Sequence, residues 1–198
     1  PEGRTVLLDK KNVNSRLLFC LKASVRVLDR SNPSELLKAV KNETELQNLR
    51  EAHRKEGLAF TRLMRRVKTH GGEEALTERS AAAYLEGCRR ELGNYLESSF
   101  APICAFGAHA AIVHYTATEE SDVQIGQQGM FLVDAGGHYL EGTTDTTRTF
   151  VLGGVSREQK QMFTAVCRGN LQLAFVRFLY GCTGNSLDVL CRAPLWQL

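Results

Sequence analysis

Phe131-Leu132-Val133-Asp134-Ala135-Gly136-Gly137-His138-Tyr139-Leu140-Glu141-Gly142-Thr143-Thr144-Asp145-Thr146-Thr147-Arg148-Thr149-Phe150 is the stretch on which the fold turns. A short apolar run of buried-strand type ends in one Asp, and a β-branched alternating run begins just after a second. If the Gly-rich segment between them folds the runs back as an antiparallel pair, Asp134 and Asp145 lie opposite one another, with Cβ atoms about 4.5–5.5 Å apart. Two carboxylates held that close repel unless they share a proton or a cation. A hard divalent metal resolves the conflict, and a pair of metals about 3.5–4 Å apart would let the carboxylates bridge or chelate both. Thr147, two residues beyond Asp145, shares its face of the strand and is placed to hydrogen-bond a metal-bound carboxylate. Arg148 points to the other face, where an ion pair is expected. Asp beside glycine is also common in ordinary turns, so spacing alone leaves turn and metal site both open.

Working outward, Ser156-Arg157-Glu158-Gln159 has capping-box spacing and opens a helix with Met162, Val166 and Leu173 inward, running to Gly181; another begins near Asn185 or Ser186. On the other side, Ala110-Ala111-Ile112-Val113-His114-Tyr115 reads as a short strand. Two helices precede it. The first is capped at Asn42 or Thr44, with Glu45 or Gln47 three residues on, buries Leu46, Leu49, Ala52, Phe60, Leu63, Met64 and Val67, and stops at Gly71-Gly72. The second starts after Thr77 and buries Ala81, Ala82, Tyr84, Leu85 and Cys88 before Gly93-Asn94. Thr5–Leu8 and Ser24–Leu28 read as strands without a core of their own. Asp29-Arg30-Ser31-Asn32-Pro33 reads as a linker, because Pro33 disfavours helix at the residue before it. The expected organisation is therefore the end of one domain over residues 1–33 and an α+β domain over 34–198.

Composition narrows the function. With 198 residues, 43% hydrophobic and 24% charged, the chain is of globular type. It has no apolar run near eighteen residues and no signal-peptide core at Pro1-Glu2-Gly3-Arg4, so a soluble cytoplasmic protein with no membrane partner is expected. Residues 1–70 carry 16 Lys and Arg against 8 Asp and Glu, and residues 71–198 carry 9 against 14, giving +8 and −5. The basic half alternates its charges with Leu, Val and Glu at helical spacing and lacks interleaved aromatics, which favours a solvated helix face over a nucleic-acid surface. The six cysteines form no Cys-x-x-Cys, so they are read as reduced, partly buried small hydrophobes rather than zinc ligands.

Val133-Asp134-Ala135-Gly136 with Tyr139, followed by Gly142-Thr143-Thr144-Asp145-Thr146-Thr147-Arg148-Thr149-Phe150, resembles the metal-binding strand pair of the pita-bread (creatinase/aminopeptidase-like) metallopeptidases. Its Gly-Thr-Thr-Asp-x-Thr-Arg-Thr form is similar to that of the aminopeptidase P group, the Xaa-Pro aminopeptidases, particularly the multidomain cytosolic type. The resemblance continues through Lys38–Asn42 with Glu45, Leu49, Ala52 and His53, which is similar to the opening of the catalytic domain. It extends through Ala111–Tyr115, similar to the strand whose His contacts substrate, and through Leu187-Asp188, Arg192, Leu195 and Trp196. His109-Ala110 departs from an Asn-Gly-like pair.

The resemblance implies that Asp134 and Asp145 are two of five metal ligands, that Thr147 supports them, and that His114 lies in the substrate pocket. His138 falls at a variable, non-ligating position; His53 and His70 have helix-face or surface roles. The implied reaction releases the N-terminal residue from peptides with proline second, using two divalent cations of the Mn²⁺ type and a carboxylate base. That base and the other three ligands, one His and two Glu, would lie beyond Trp196. The chain is thus expected to be the first part of the pita-bread domain, preceded by the end of a creatinase-like N-terminal domain. By itself it should neither hold two metals tightly nor hydrolyse peptides, while the complete protein, a homodimer, should do both. A prolidase-type dipeptidase and a non-catalytic pita-bread domain that binds peptide or protein are the alternatives.

Overall fold

The computed structural model describes residues 3–69 and 76–198. The expected stop at Gly71-Gly72, along with His70 and the first two residues, lies outside them. The chain divides into units 1–51 and 52–198.

In the first unit, β1 (Thr5–Leu8) and β2 (Arg26–Asp29) pair in parallel, Thr5 against Arg26 through Leu8 against Asp29. A short helix, α1 (Ser15–Phe19), lies on the connection. Among the described residues of this unit Val25 is the one buried apolar residue, in keeping with strands that have little core of their own. The linker reading of Pro33 needs correction: it is the first residue of α2 (Pro33–Ala39), with the Asn32 side chain accepting from Ser34 N. At the first helical position the amide that proline lacks would have been unpaired anyway. Helix α3 (Glu43–Thr69) then begins. Asn42 and Glu45 cap it reciprocally at 2.8 and 2.9 Å, which selects Asn42 over Thr44.

In the second unit α3 turns Ala52, Lys55, Glu56, Ala59, Phe60 and Leu63 inward, a stripe of three- and four-residue steps. Met64 and Val67 are only half-buried and Leu46 is exposed. Helix α4 (Glu78–Arg90), capped by a Thr77–Ser80 box, adds Ala81, Leu85 and Cys88. Tyr84 stays exposed, and the buried charged residues Glu78 and Arg89 join the stripe. Both helices share a core with one face of a three-stranded antiparallel sheet, β4 (Ile103–Phe106), β5 (Gly129–Ala135) and β8 (Thr146–Leu152), with β5 in the middle. Along β5 the alternation is strict: Phe131, Val133 and Ala135 are fully buried in that core, so Leu132 and Asp134 face the other way. Between β5 and β8 the chain makes β6 (Gly137–Tyr139) and β7 (Gly142–Thr143), which join β3 (Tyr95–Ser98) in a second small sheet.

The expected strand over 110–115 does not form. Gly107–Ala111 is a 3₁₀ turn, Ile112 and Val113 are 54% and 82% exposed, and only Tyr115 is buried. Small residues let the backbone tighten, and the β-branched pair meets no sheet edge. Helix α5 (Arg157–Phe175) has the Ser156–Gln159 capping box but stops at Phe175, short of Gly181. Its inward residues are Ala165 and Gly169, not Met162, Val166 and Leu173. It packs on α6 (Gly184–Arg192), where a Cβ at Gly169 would lie 2.2 Å from the Cys191 carbonyl oxygen. Cys88 and Cys104 are buried, but Cys20, Cys167 and Cys182 are exposed, against the expectation that all six are partly buried. Among the described residues no helix is long and apolar enough to cross a membrane.

Candidate metal centre

Strand β5 delivers Asp134 to the sheet face opposite the helices, next to the last rung of the β5–β8 ladder. The register corrects the simplest expectation. Asp134 is paired with Thr147, and Ala135 with Thr146, so the ladder ends one residue short of Asp145. Extending it would set Asp145 against Gly136 rather than against Asp134. The two aspartates are therefore diagonal neighbours, a separation at which Cα atoms lie about 7–8 Å apart and Cβ atoms somewhat less. Thr147 takes the directly opposed place and donates its hydroxyl to Asp134 Oδ1 at 2.8 Å. Asp134 is half-buried and Asp145 exposed.

The turn before Asp145 is fixed by close packing and by a buried charge network. At Gly136 a Cβ would lie 1.9 Å from the Thr144 carbonyl oxygen, so the chain can leave β5 at this point only with glycine. Thr144 is buried; its hydroxyl accepts from Gly137 N at 2.9 Å and donates to Glu56 at 3.2 Å. Glu56 also accepts from Tyr139 OH at 3.0 Å and from Arg89 Nε and Nη2 at 3.1 and 2.5 Å. Both members of this ion pair are fully buried. Burial opposes the charge on Arg89, but the hydrogen bonds and charge of Glu56 outweigh it and raise the guanidinium pKa. Burial and then the neighbouring Glu56 push the Tyr139 phenol well above its ordinary range. Sequence patterning missed Glu56 and Arg89, since a charged residue on a helix stripe reads as solvated. The available signal was that Glu56 continues the Ala52–Phe60 stripe.

His114 is exposed, in the loop that follows the 3₁₀ turn, with a left-handed backbone at φ 60°. Its neighbour Tyr115 packs with Ile103, Ala105 and Leu132. Those residues share the Asp134 face, because Ile103 and Ala105 are paired with Asp134 and Leu132. The His114 loop and Asp134 are thus brought to one face of one sheet, without a hydrogen bond between them among the described residues. His138 pairs with the Thr143 hydroxyl at 2.8 Å across β6–β7, and His53 is exposed on α3. Arg148 makes no ion pair among the described residues; its guanidinium donates to the Thr147 carbonyl at 2.8 Å.

As a donor set, two carboxylates suit a hard divalent cation such as Mg²⁺ or Mn²⁺. Thr147 engages one oxygen of Asp134 and is the only donor to reach that carboxylate among the described residues. The residues present fit a metal but supply only part of a site: among the described residues no three His, Cys, Asp or Glu side chains form a metal-holding group.

The sequence profile described as metallopeptidase family M24 matches residues 47–198. Xaa-Pro aminopeptidase 1 of Dictyostelium discoideum is 33% identical over 201 residues, taking in 100% of this chain and 32% of the relative. The crystal structure of X-prolyl aminopeptidase from Caenorhabditis elegans, described as a cytosolic enzyme with a dinuclear active site, superposes with a TM-score of 0.78 at 31% identity. It covers 88% of this chain and 28% of that one. The X-Pro aminopeptidase from Thermotoga maritima superposes with a TM-score of 0.77 over 98% of this chain and 52% of its own; at 23% identity this likeness concerns the fold alone. The chain spans about a third of the length of the curated relatives it matches.

Proposed function

The chain belongs to metallopeptidase family M24 and has its mixed α/β, pita-bread-like fold, and from that premise we propose that the whole protein is an Xaa-Pro aminopeptidase. On this reading it removes the N-terminal residue from peptides with proline in the second position. Asp134 and Asp145 hold part of a dinuclear centre, Mn²⁺ being the expected metal, and Thr147 keeps the Asp134 carboxylate turned toward it. Bound there, two such cations supply Lewis acidity, polarising the scissile carbonyl and acidifying water. His114, on the loop over the same sheet face, contacts the substrate. The network of Glu56, Arg89 and Thr144 holds the backbone that presents Asp145.

The observation that carries the reading is the Asp134–Thr147 hydrogen-bonded pair, with Asp145 one residue before β8 and two before Thr147. The remaining ligands, one His and two Glu, together with a carboxylate base, are proposed to lie in a segment outside these 198 residues, so this chain by itself is inactive. Residues 1–33 are proposed to close a preceding creatinase-like domain, with 34–198 forming the first part of the metallopeptidase domain. The complete protein is proposed to be a cytoplasmic homodimer whose partners are proline-containing peptides rather than nucleic acid or membrane.

The test compares an Xaa-Pro dipeptide with a longer Xaa-Pro-Xaa peptide, using the Mn²⁺-loaded protein that carries the complete family domain. Faster cleavage of the longer peptide is expected. Equal or better cleavage of the dipeptide means a prolidase-type dipeptidase, and no cleavage of either by a metal-replete protein means a binding domain. Asp145→Ala should remove both bound metal and activity; retention of both would overturn the ligand assignment.

A further inference from the structure

Glu78 is a fully buried carboxylate at the first turn of α4, remote in sequence from the aspartates and outside the network that holds Asp145. A buried carboxylate is costly unless its oxygens are fully engaged. Its partners come from the two ends of a single loop. Oε1 accepts from Phe106 N at 2.7 Å, where the loop leaves β4. The Nδ1 of His109, inside the 3₁₀ turn, lies 3.0 and 3.1 Å from the two oxygens. Oε2 accepts from the Tyr115 hydroxyl at 2.8 Å, where the loop ends. One carboxylate thus ties down residues 106, 109 and 115, and His114 is carried between the last two.

Backbone conformation provides a second, independent observation. His114 has φ 60°, and Asn94 is the only other non-glycine residue with positive φ among the described residues. A histidine holds this sparsely populated conformation only where its surroundings over-determine it. The restraints on this turn converge on Tyr115. Its backbone N donates to Ile112 O at 3.2 Å, and Ile112 N donates to His109 O at 3.0 Å. Its ring stacks on the His109 ring, with centroids 4.5 Å apart and planes 26° apart. Its hydroxyl is set by Glu78, with Ser121 Oγ 3.1 Å away. Ile112 and Val113, 54% and 82% exposed, add little packing to the turn.

We infer that Glu78 is a positioning residue for His114: it orders the 106–115 loop through His109 and Tyr115 and so fixes where the His114 imidazole is presented. The inference rests on the proposal that His114 contacts substrate. It adds a mechanism by which α4, a core helix, sets the geometry of a residue to which it makes no hydrogen bond among the described residues. His109 then belongs to the support of the loop, its Nδ1 committed to Glu78.

The experiment is a double-mutant cycle in the Mn²⁺-loaded protein carrying the complete family domain, with an Xaa-Pro-Xaa peptide. Tyr115→Phe keeps the ring and removes the hydroxyl donor; it should lower kcat/KM about tenfold with bound metal unchanged. Glu78→Gln should lower it further, and if that variant does not fold, Tyr115→Phe decides alone. His114→Ala should lose at least as much as Tyr115→Phe, and adding Tyr115→Phe to His114→Ala should cost nothing more, because the hydroxyl acts through the missing imidazole. In the metal-free protein the His114 ring proton resonances should shift or broaden in Tyr115→Phe. Losses that multiply in the double variant would mark a merely structural role and overturn the inference, as would wild-type activity of Tyr115→Phe or an unmoved His114 resonance. Full activity of His114→Ala would instead remove the role of His114 itself, and the inference with it.

Discussion

A charge brought into the interior persists only with partners, and the turn between β6 and β7 shows what such a pairing contributes. Lys55 Nζ meets Glu141 Oε1 at 2.6 Å and the Gly93 carbonyl at 3.2 Å, while Asn94 donates to the same Glu141 oxygen at 2.7 Å. The two side chains are only 8% and 15% exposed. The Lys55 hydrogen bond, followed by that of Asn94, holds the Glu141 carboxyl below its ordinary pKa. A carboxylate whose folded pKa lies below the unfolded one contributes stability that is fully present above the unfolded value. That contribution is lost as pH falls through the folded value. Lys55→Met, which keeps the apolar stem and removes the ammonium, should therefore cost about 1–3 kcal/mol at neutral pH. The deficit in melting temperature should shrink as the solution is acidified below the ordinary carboxylate range. A deficit undiminished in acid would mean that packing, not charge, is what Lys55 provides.

At the scale of elements the contact between α5 and α6 separates helix propensity from tertiary fit. Replacing a mid-helix glycine by alanine ordinarily gains about 0.5–1 kcal/mol. At Gly169 the new Cβ would sit 2.2 Å from a backbone oxygen of α6, a clash no rotamer relieves, and overpacking of this kind costs about 1–3 kcal/mol. The clash wins, so Gly169→Ala should lower the denaturation midpoint and raise hydrogen exchange in Gly184–Arg192. A stabilised variant would mean that the two helices are not in contact in solution. The same residue shows why some elements were legible from sequence and others were not. The capping box at Ser156, the pattern that opens after Thr77 and the stripe from Ala52 to Leu63 are local signals, and the helices start where those signals place them. The inward face of α5 depended instead on how closely another helix approaches, so the small Ala165 and Gly169 displaced the larger Met162 and Val166. Register was illegible for a similar reason. The 131–150 motif foretold an antiparallel pair, but the two-residue offset between Asp134 and Asp145 comes from where the chain leaves β5 at Gly136. That exit is set by the Thr144 carbonyl packed against it.

For the whole molecule the decisive quantity is the number of ligands these 198 residues supply. The two proposed ligands, Asp134 on β5 and Asp145 one residue before β8, are oxygen donors, one half-buried and one exposed. Tight binding of hard cations requires more, since Ca²⁺ sites use six to eight oxygens and their affinity follows ligand charge and rigidity. Two carboxylates with the rest of the shell left to water should give a dissociation constant on the order of 10⁻⁴–10⁻³ M, the range of the weaker extracellular Ca²⁺ modules. Mn²⁺ titration of this chain, followed by electron paramagnetic resonance or calorimetry, should find binding of that strength or weaker, reduced further by Asp145→Asn. The protein with the complete family domain should hold two equivalents tightly, lose peptidase activity to a chelator and regain it with Mn²⁺. Retention of both metals and of peptide hydrolysis in Asp134→Asn would show that Asp134 is not a ligand. Two tightly bound equivalents in this chain alone would mean that residues outside the β5–β8 pair complete the centre. The proposal that one His and two Glu from a further segment are needed would then fall.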